Sequence, residues 1–390
     1  MSHSAPLYDR GYILLNASNL FYSFYSVIFI FLPAYLFRLG IREGEIGLLM
    51  ATGTLVAVAL KPLNASIAGR GYRMVLISAG AFGAAASTVP WLYISSPGPV
   101  LYLVRLAQGV AFSMFTAASF SHVAAAAPPG RRAEAFGIFG LAFFLPVSVG
   151  GWLGEWVIRR ADYAGLFAAA ICMAVLSALF PFWIREPKTR ERFSFASLSV
   201  FLGRAFLVPN TAGYLFGMAY GTIITFLPVY LLEIGKGSIG VFVFVYAMTV
   251  IATRVLGRRL LDRLPRERMT LFALLLLGAG NLLIPFAGTG AGLAAVGAAA
   301  GGGHGLLFPA LSALVLDRAK SDAGGMAMAM FTGAFDMGMV TGAAAFGFVV
   351  ELCGYGPMFV SAAAAVGAGS FGFFLLDPSF RKAGRPAPGP

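Results

Sequence analysis

Few ionisable side chains interrupt the apolar stretches of this chain, and those few decide what chemistry it can do. Asp336 stands in TGAFDMGMVTG (332–342), about 14 residues into an apolar run, or roughly 20 Å along a helix. A carboxyl group at that depth in hydrocarbon is costly, so such a residue usually faces a cavity and has a task. Loading and releasing a proton is the task it suits; the plainer alternative is an Asp held in a hydrogen bond between helices. His304, in GGGHG (301–305), lies at similar depth. An imidazole titrates near neutrality and is a candidate proton or substrate group, alone or as one titrating unit with Asp336. The alternative is a packed histidine bonded to a backbone carbonyl beside close-approaching glycines. Arg105, in RLAQG (105–109), is always charged and needs water, an acid or carbonyls around it. It could instead snorkel to a nearby membrane interface.

Neutral polar residues extend the set. Asn16, Asn19 and Tyr22 share one helix face, as do Asn210 and Tyr214. They are candidates for a substrate wall, or for ordinary hydrogen-bonded glue between helices. No HExxH, no plausible Ser/His/Asp arrangement and no Walker loop is present. The three histidines are His3, His122 and His304, and the two cysteines, Cys172 and Cys353, match no zinc spacing. No enzyme chemistry, cofactor or metal is therefore expected.

The elements that must position these residues follow from composition. The 390 residues are 59% hydrophobic and 11% charged, with a mean hydropathy of +0.82; a soluble domain carries about 25% charged residues. Apolar runs recur along the whole length, each long enough to cross a roughly 30 Å hydrocarbon core as a helix. They are continuous rather than alternating, which argues against an outer-membrane barrel. Twelve spans are predicted: 11–38, 45–69, 73–94, 98–126, 132–157, 163–184, 203–233, 238–261, 268–287, 291–316, 323–351 and 357–376. The N-terminus is short and polar, and the first apolar segment is too long for a cleaved signal.

The net charge of +12 reads as loop charge of a membrane protein rather than as a nucleic-acid surface. With both termini placed inside, about 22 of the 28 Lys and Arg residues fall on the inner side. That asymmetry predicts cytoplasmic N- and C-termini. Arg159 and Arg160 fall on the outer side and have no functional account at this level. The charged stretch REPKTRERF (185–193) reads as a linker. The expected organisation is an N-terminal six-helix bundle (1–184), a linker (185–202), a C-terminal six-helix bundle (203–380) and a tail (381–390).

The two bundles are copies. FLPAYLFRLG (31–40) returns as FLPVYLLEIG (226–235), with six of ten positions identical and an offset of 195. Arg73-Met74 and Arg268-Met269 keep that offset, and Gln108-Gly109 aligns with His304-Gly305. Parallel repeats of one topology build transporters with a substrate site at the repeat interface.

Over essentially its whole length the sequence resembles the major facilitator superfamily. GRRLLDRLPRER (257–268) looks like that family's Gly-x-x-x-Asp-Arg-x-Gly-Arg-Arg loop, with Asp262 and Arg263 in place and Pro265 instead of the later Gly. The N-half copy, NASIAGRGYR (64–73), supplies Arg70 and Arg73 but lacks the acid. RLAQG matches the Arg-x-x-Gln-Gly motif of proton antiporters. GIFGLAFFLPVSVGG (137–151) resembles the antiporter motif of the fifth span, with Leu145-Pro146 for Gly-Pro and one residue more before Gly150-Gly151. HGLLFPALSALV (304–315), RRAEAFGIFG (131–140) and FDMG (335–338) look like the arabinose or sugar efflux subgroup.

The resemblance implies an all-α integral membrane fold of twelve transmembrane helices in two pseudo-symmetric six-helix bundles. Spans 1, 4, 7 and 10 would line the cavity. Asp336, His304 and Arg105 would serve proton coupling; Asn16, Asn19, Tyr22, Gln108, Asn210 and Tyr214 the substrate cavity; Arg70, Arg73, Asp262, Arg263 and Arg268 a gating loop; Gly109, Pro146, Gly150 and Gly151 helix packing. The expected function is secondary active transport by alternating access: proton-coupled efflux of a small drug-like or sugar-like molecule. Two alternatives stay open: proton-coupled uptake of a small sugar or organic anion, in which Arg105 would bind the anion, and a non-transporting membrane sensor or scaffold. The expected partners are a small-molecule substrate, protons and the lipid bilayer, without nucleic acid. The expected place is the inner membrane, and the expected state a monomer.

Overall fold

Inside a bilayer the backbone finds no water, and a helix satisfies its own N–H and C=O groups. The structure, a computed structural model, describes residues 9–127, 132–186, 204–256, 264–318, 324–377 and 380. Every regular element among them is helical. The chain divides into two compact units, residues 1–194 and 195–390.

In the first unit, α1 (Arg10–Ile28) starts behind Asp9, whose carboxylate accepts from the Tyr12 N–H at 2.7 Å. A short turn leads into α2 (Leu32–Arg38). Helix α3 (Glu43–Ile67) carries Glu43 and Glu45 in its first turn, where the helix dipole favours negative charge. It turns into α4 (Arg73–Thr88) at Gly71, whose φ of 101° is glycine's territory. Then come α5 (Val100–Ala126) and α6 (Arg132–Leu179), the latter broken at Asp162 (φ 51°, ψ −166°). The second unit holds α7 (Arg204–Ile234), α8 (Ile239–Leu256), α9 (Arg266–Leu283), α10 (Gly290–Arg318), α11 (Gly324–Cys353) and α12 (Tyr355–Leu376).

Ten helical segments among the described residues are long and apolar enough to cross a membrane. Two of them, Glu43–Leu92 and Ile138–Trp183, run 50 and 46 residues, whereas one crossing takes about 20. The breaks at Gly71 and Asp162 divide each into two crossings. These breaks fit the adjacent spans predicted at 45–69 and 73–94, and at 132–157 and 163–184, which follow each other with scarcely a loop.

The two units pack their helices by one scheme. In the first, α1 lies on α6, α5 packs against α3 and α4, and α4 reaches α6. In the second, α7 lies on α11, α10 packs against α8 and α9, and α9 reaches α12. The phrase repeated in the sequence has a matching role in each. The Tyr35 hydroxyl donates to the Ile94 carbonyl at 2.5 Å, and its ring packs 5.0 Å from Tyr163 and 5.2 Å from Phe167. The Tyr230 hydroxyl donates to the Pro285 carbonyl at 3.5 Å, with Tyr355 and Phe359 at 5.5 and 5.8 Å.

Large apolar side chains such as Leu103, Phe120, Trp152, Trp156 and Phe371 are exposed, as side chains that meet lipid must be. Arg159 and Arg160, unexplained from sequence, each have a neighbour. Arg159 lies 3.9 Å from Glu155, and Arg160 sits 4.7 Å over the Trp156 ring.

Candidate functional site

Arg105 is 9% exposed, and α3 is what holds it. Its Nε donates to the Leu49 carbonyl at 3.1 Å and its Nη2 to the Met50 carbonyl at 3.2 Å. One turn along α5, Gln108 Oε1 accepts from Nη1 at 2.9 Å. No Asp or Glu among the described residues pairs with this guanidinium. The approach depends on two glycines. A Cβ at Gly53 would stand 2.8 Å from Nη2, and one at Gly109 would strike the Gly53 carbonyl. Arg105, Gln108 and Gly109 line a cavity of about 170 Å³, together with Gly53 and Thr54 of α3, Phe112 of α5, and Tyr25, Ser26 and Phe29 at the end of α1. The cavity lies wholly in the first unit. Sequence reading missed Tyr25, Gly53 and Thr54.

In the second unit, His304 of α10 is 6% exposed. Its Nδ1 and the Tyr246 hydroxyl of α8 are hydrogen-bonded at 2.5 Å. Three aromatic rings meet the imidazole edge-on: Phe216 at 4.7 Å, Tyr220 at 5.2 Å and Tyr246 at 5.7 Å. Phe335 of α11 packs on Phe216 at 4.7 Å and Tyr220 at 6.1 Å. Asp336, the next residue, is half-buried and stands near the middle of α11. Further along α8 from Tyr246, Arg254 lies 5.7 Å over the Phe308 ring of α10. Neither Tyr246 nor Arg254 had been singled out from the sequence, because their partners are on other helices.

The remaining predicted residues sort by their hydrogen bonds. Asn19 is buried and its amide donates to the Phe139 carbonyl at 3.0 Å, joining α1 to α6. Asn16 donates to Tyr12 within its own helix, and its Oδ1 has no partner. The buried Tyr22 ring lies 3.6 Å from Phe115, and its hydroxyl is likewise unpartnered. So are the Asn210 Oδ1 and the Gln108 Nε2. Tyr214 is half-buried. Pro146, Gly150 and Gly151 are buried, and Gly150 faces the Val27 side chain at a distance no Cβ would fit.

Asp262 and Arg263 lie outside the described residues. Arg70 and Arg268 are exposed. Arg73 is fully buried: its Nε donates to Ser121 Oγ at 3.0 Å, and its Nη1 lies 3.6 Å from Glu186. Glu186 also caps α4, accepting from the N–H groups of Arg73 and Met74 at 3.0 and 3.1 Å. The second unit has its own pairs. Arg266 binds Asp317 and the Ala313 carbonyl, and Arg318 meets Asp377 at 2.5 Å. Glu186 and Asp377 both follow the last helix of their unit.

The family model of the Major Facilitator Superfamily matches residues 14–237 and 211–390. The staphylopine export protein of Staphylococcus aureus is 22% identical over 96% of this chain and 97% of its own length. An uncharacterized MFS-type transporter of Salmonella typhimurium is 25% identical over 61% of each. Among solved structures, a peptide transporter superposes with a TM-score of 0.78 at 13% identity, over 96% of this chain and 95% of that one. The human organic anion transporter MFSD10 gives 0.69 at 18% identity, over 94% and 99%. At these identities the structures establish the fold alone.

Proposed function

The chain belongs to the major facilitator superfamily of membrane transporters, and we propose that it exports a small organic molecule across the inner membrane in exchange for protons, by alternating access. The observation that carries this reading is the burial of Arg105 and His304, 9% and 6% exposed, inside helices long and apolar enough to cross a bilayer. Ionisable groups are expensive there and mark substrate or ion pathways. A sensor or scaffold that kept only the fold has little reason to retain them.

Asp336 is the proton carrier in this proposal, with His304 and its Tyr246 partner as a second titrating group. Arg105 holds a fixed charge in the first unit. Gln108, Asn16, Tyr22 and Asn210 contribute polar atoms that the protein leaves without a partner, and Tyr214 stands on the Asn210 face. The pairs Arg73–Glu186, Arg266–Asp317 and Arg318–Asp377, with Arg70, Asp262, Arg263 and Arg268, latch one conformation. Export rather than uptake is supported by the RLAQG and Gly150-Gly151 motifs and by the name of the Staphylococcus aureus relative.

The test uses everted membrane vesicles holding a pH gradient reported by a quenched dye. Sugars, organic acids and lipophilic cations are added to vesicles with the natural protein or Asp336→Asn. A compound that collapses the gradient with the natural protein alone supports exchange and the Asp336 role. An equal response of the mutant removes Asp336 from the pathway, and no response to any compound removes proton exchange.

A further inference from the structure

The cavity at Arg105 has a charge balance that the exchange mechanism does not use. Arginine has five N–H donors in a planar fork. Here three are committed, one each to Leu49, Met50 and Gln108, and one N–H on each terminal nitrogen is left over. The acceptors are two carbonyls and one amide oxygen, so the positive charge is solvated but not neutralised. Burying a charge in this way is costly without a counter-ion.

Gln108 supplies the second observation. Arginine has no acceptor, so only the amide oxygen of Gln108 can face it. The amide nitrogen is thereby turned away. That nitrogen is buried and has no hydrogen-bond partner, in a side chain 5% exposed that lines the same cavity. The cavity therefore offers one fixed positive charge and N–H donors from two side chains, with no acid and no second cation in its lining. One positive charge matches a monoanion rather than a phosphate dianion. A carboxylate, with two oxygens in one plane, suits a guanidinium fork. The Tyr25, Phe29 and Phe112 rings give the wall an apolar surface against which an organic body can pack.

The geometry points to a substrate class: a small organic monocarboxylate whose carboxylate binds Arg105 and Gln108, with its apolar part against Tyr25, Phe29 and Phe112. The inference rests on the transport reading for its meaning but is tested by binding alone. Purified protein in nanodiscs is titrated with phenylacetate, benzoate and hexanoate, with the neutral amides of the same acids, and with inorganic phosphate, and thermal stabilisation is read. The natural protein is expected to bind at least one acid roughly tenfold or more tightly than its amide, since a hydrogen bond to a charged group is worth that much. Phosphate is expected to bind more weakly than that acid.

Arg105→Lys keeps the charge and loses the fork, and should weaken the acid roughly tenfold without changing the amide. Gln108→Leu keeps Arg105 and its two backbone bonds and should weaken the acid several-fold, so the inference stays testable if the arginine variant fails to fold. Equal binding of acid and amide, tighter binding of phosphate, or binding of none of the acids overturns it. So does unchanged acid affinity in both variants. The transport reading fails separately: acid binding with no substrate-driven proton movement in vesicles leaves the site and removes the exchange. Proton movement driven only by neutral or cationic compounds, with no acid bound, does the reverse.

Discussion

A methyl group added at Gly53 would stand 2.8 Å from Nη2 of Arg105 and 3.0 Å from its Cζ. Real Cβ atoms do not come so close to a held group, so Gly53→Ala must displace the guanidinium from the Leu49 and Met50 carbonyls. Overpacking of this kind costs about 1–3 kcal/mol, less than the roughly 5–15 kcal/mol that holds a typical fold together. The expected result is a folded protein whose transport per folded molecule falls about tenfold or more. Fluorescence-detected size exclusion and a transport assay on the same sample check it; unchanged transport would show that the position of Arg105 is unimportant. Arg105, Gln108 and His304 were legible in the sequence because ionisable and amide groups are conspicuous in apolar runs. Gly53 was not, since one glycine among 49 carries no mark of the side chain it makes room for. Tyr246 escaped for a related reason: its partner is 58 residues away, on another helix.

Helix ends show how an element is pinned. Glu186 accepts two N–H groups at the start of α4 and lies beside Arg73. Glu186→Ala removes a cap and a counter-charge together. It is expected to lower stability by about 1–3 kcal/mol, read as a lower melting temperature in detergent; an unchanged melting temperature would contradict the cap. Tyr35 and Tyr230 perform one task in the two units, each tying its own helix to a carbonyl at the end of the unit's third span. Replacing either with Phe should cost about 0.5–1.5 kcal/mol. The pair share no partner, so the double variant should be additive; thermal melts of the three variants check both points. Run lengths in the sequence marked these helices well. The close succession of α3 and α4, and of the two parts of α6, was legible as the short gaps between predicted spans; the single positive φ at Gly71 or Asp162 that turns the chain there was not.

At the scale of the molecule, hydropathy and the 195-residue repeat carried the fold. Apolar length dictates crossings wherever the backbone has no water to bind, and the two copies then pack by one scheme. The excess of Lys and Arg on one side predicts that both termini face the cytoplasm. Tags at either end should be cleaved by added protease in everted vesicles and protected in right-side-out ones; the opposite pattern would invert the orientation. The chemistry was less legible than the fold, since it depends on which side chains meet across helices. Export driven by protons shows itself as uphill accumulation in proteoliposomes. A labelled substrate found in the vesicle screen is supplied outside, equal inside and out, and a pH gradient with an acid lumen is imposed as the only driving force. Proton-driven exchange gives accumulation above the outside concentration, abolished by a protonophore and by Asp336→Asn. Simple equilibration, whatever the gradient, would contradict it and leave a passive carrier in its place.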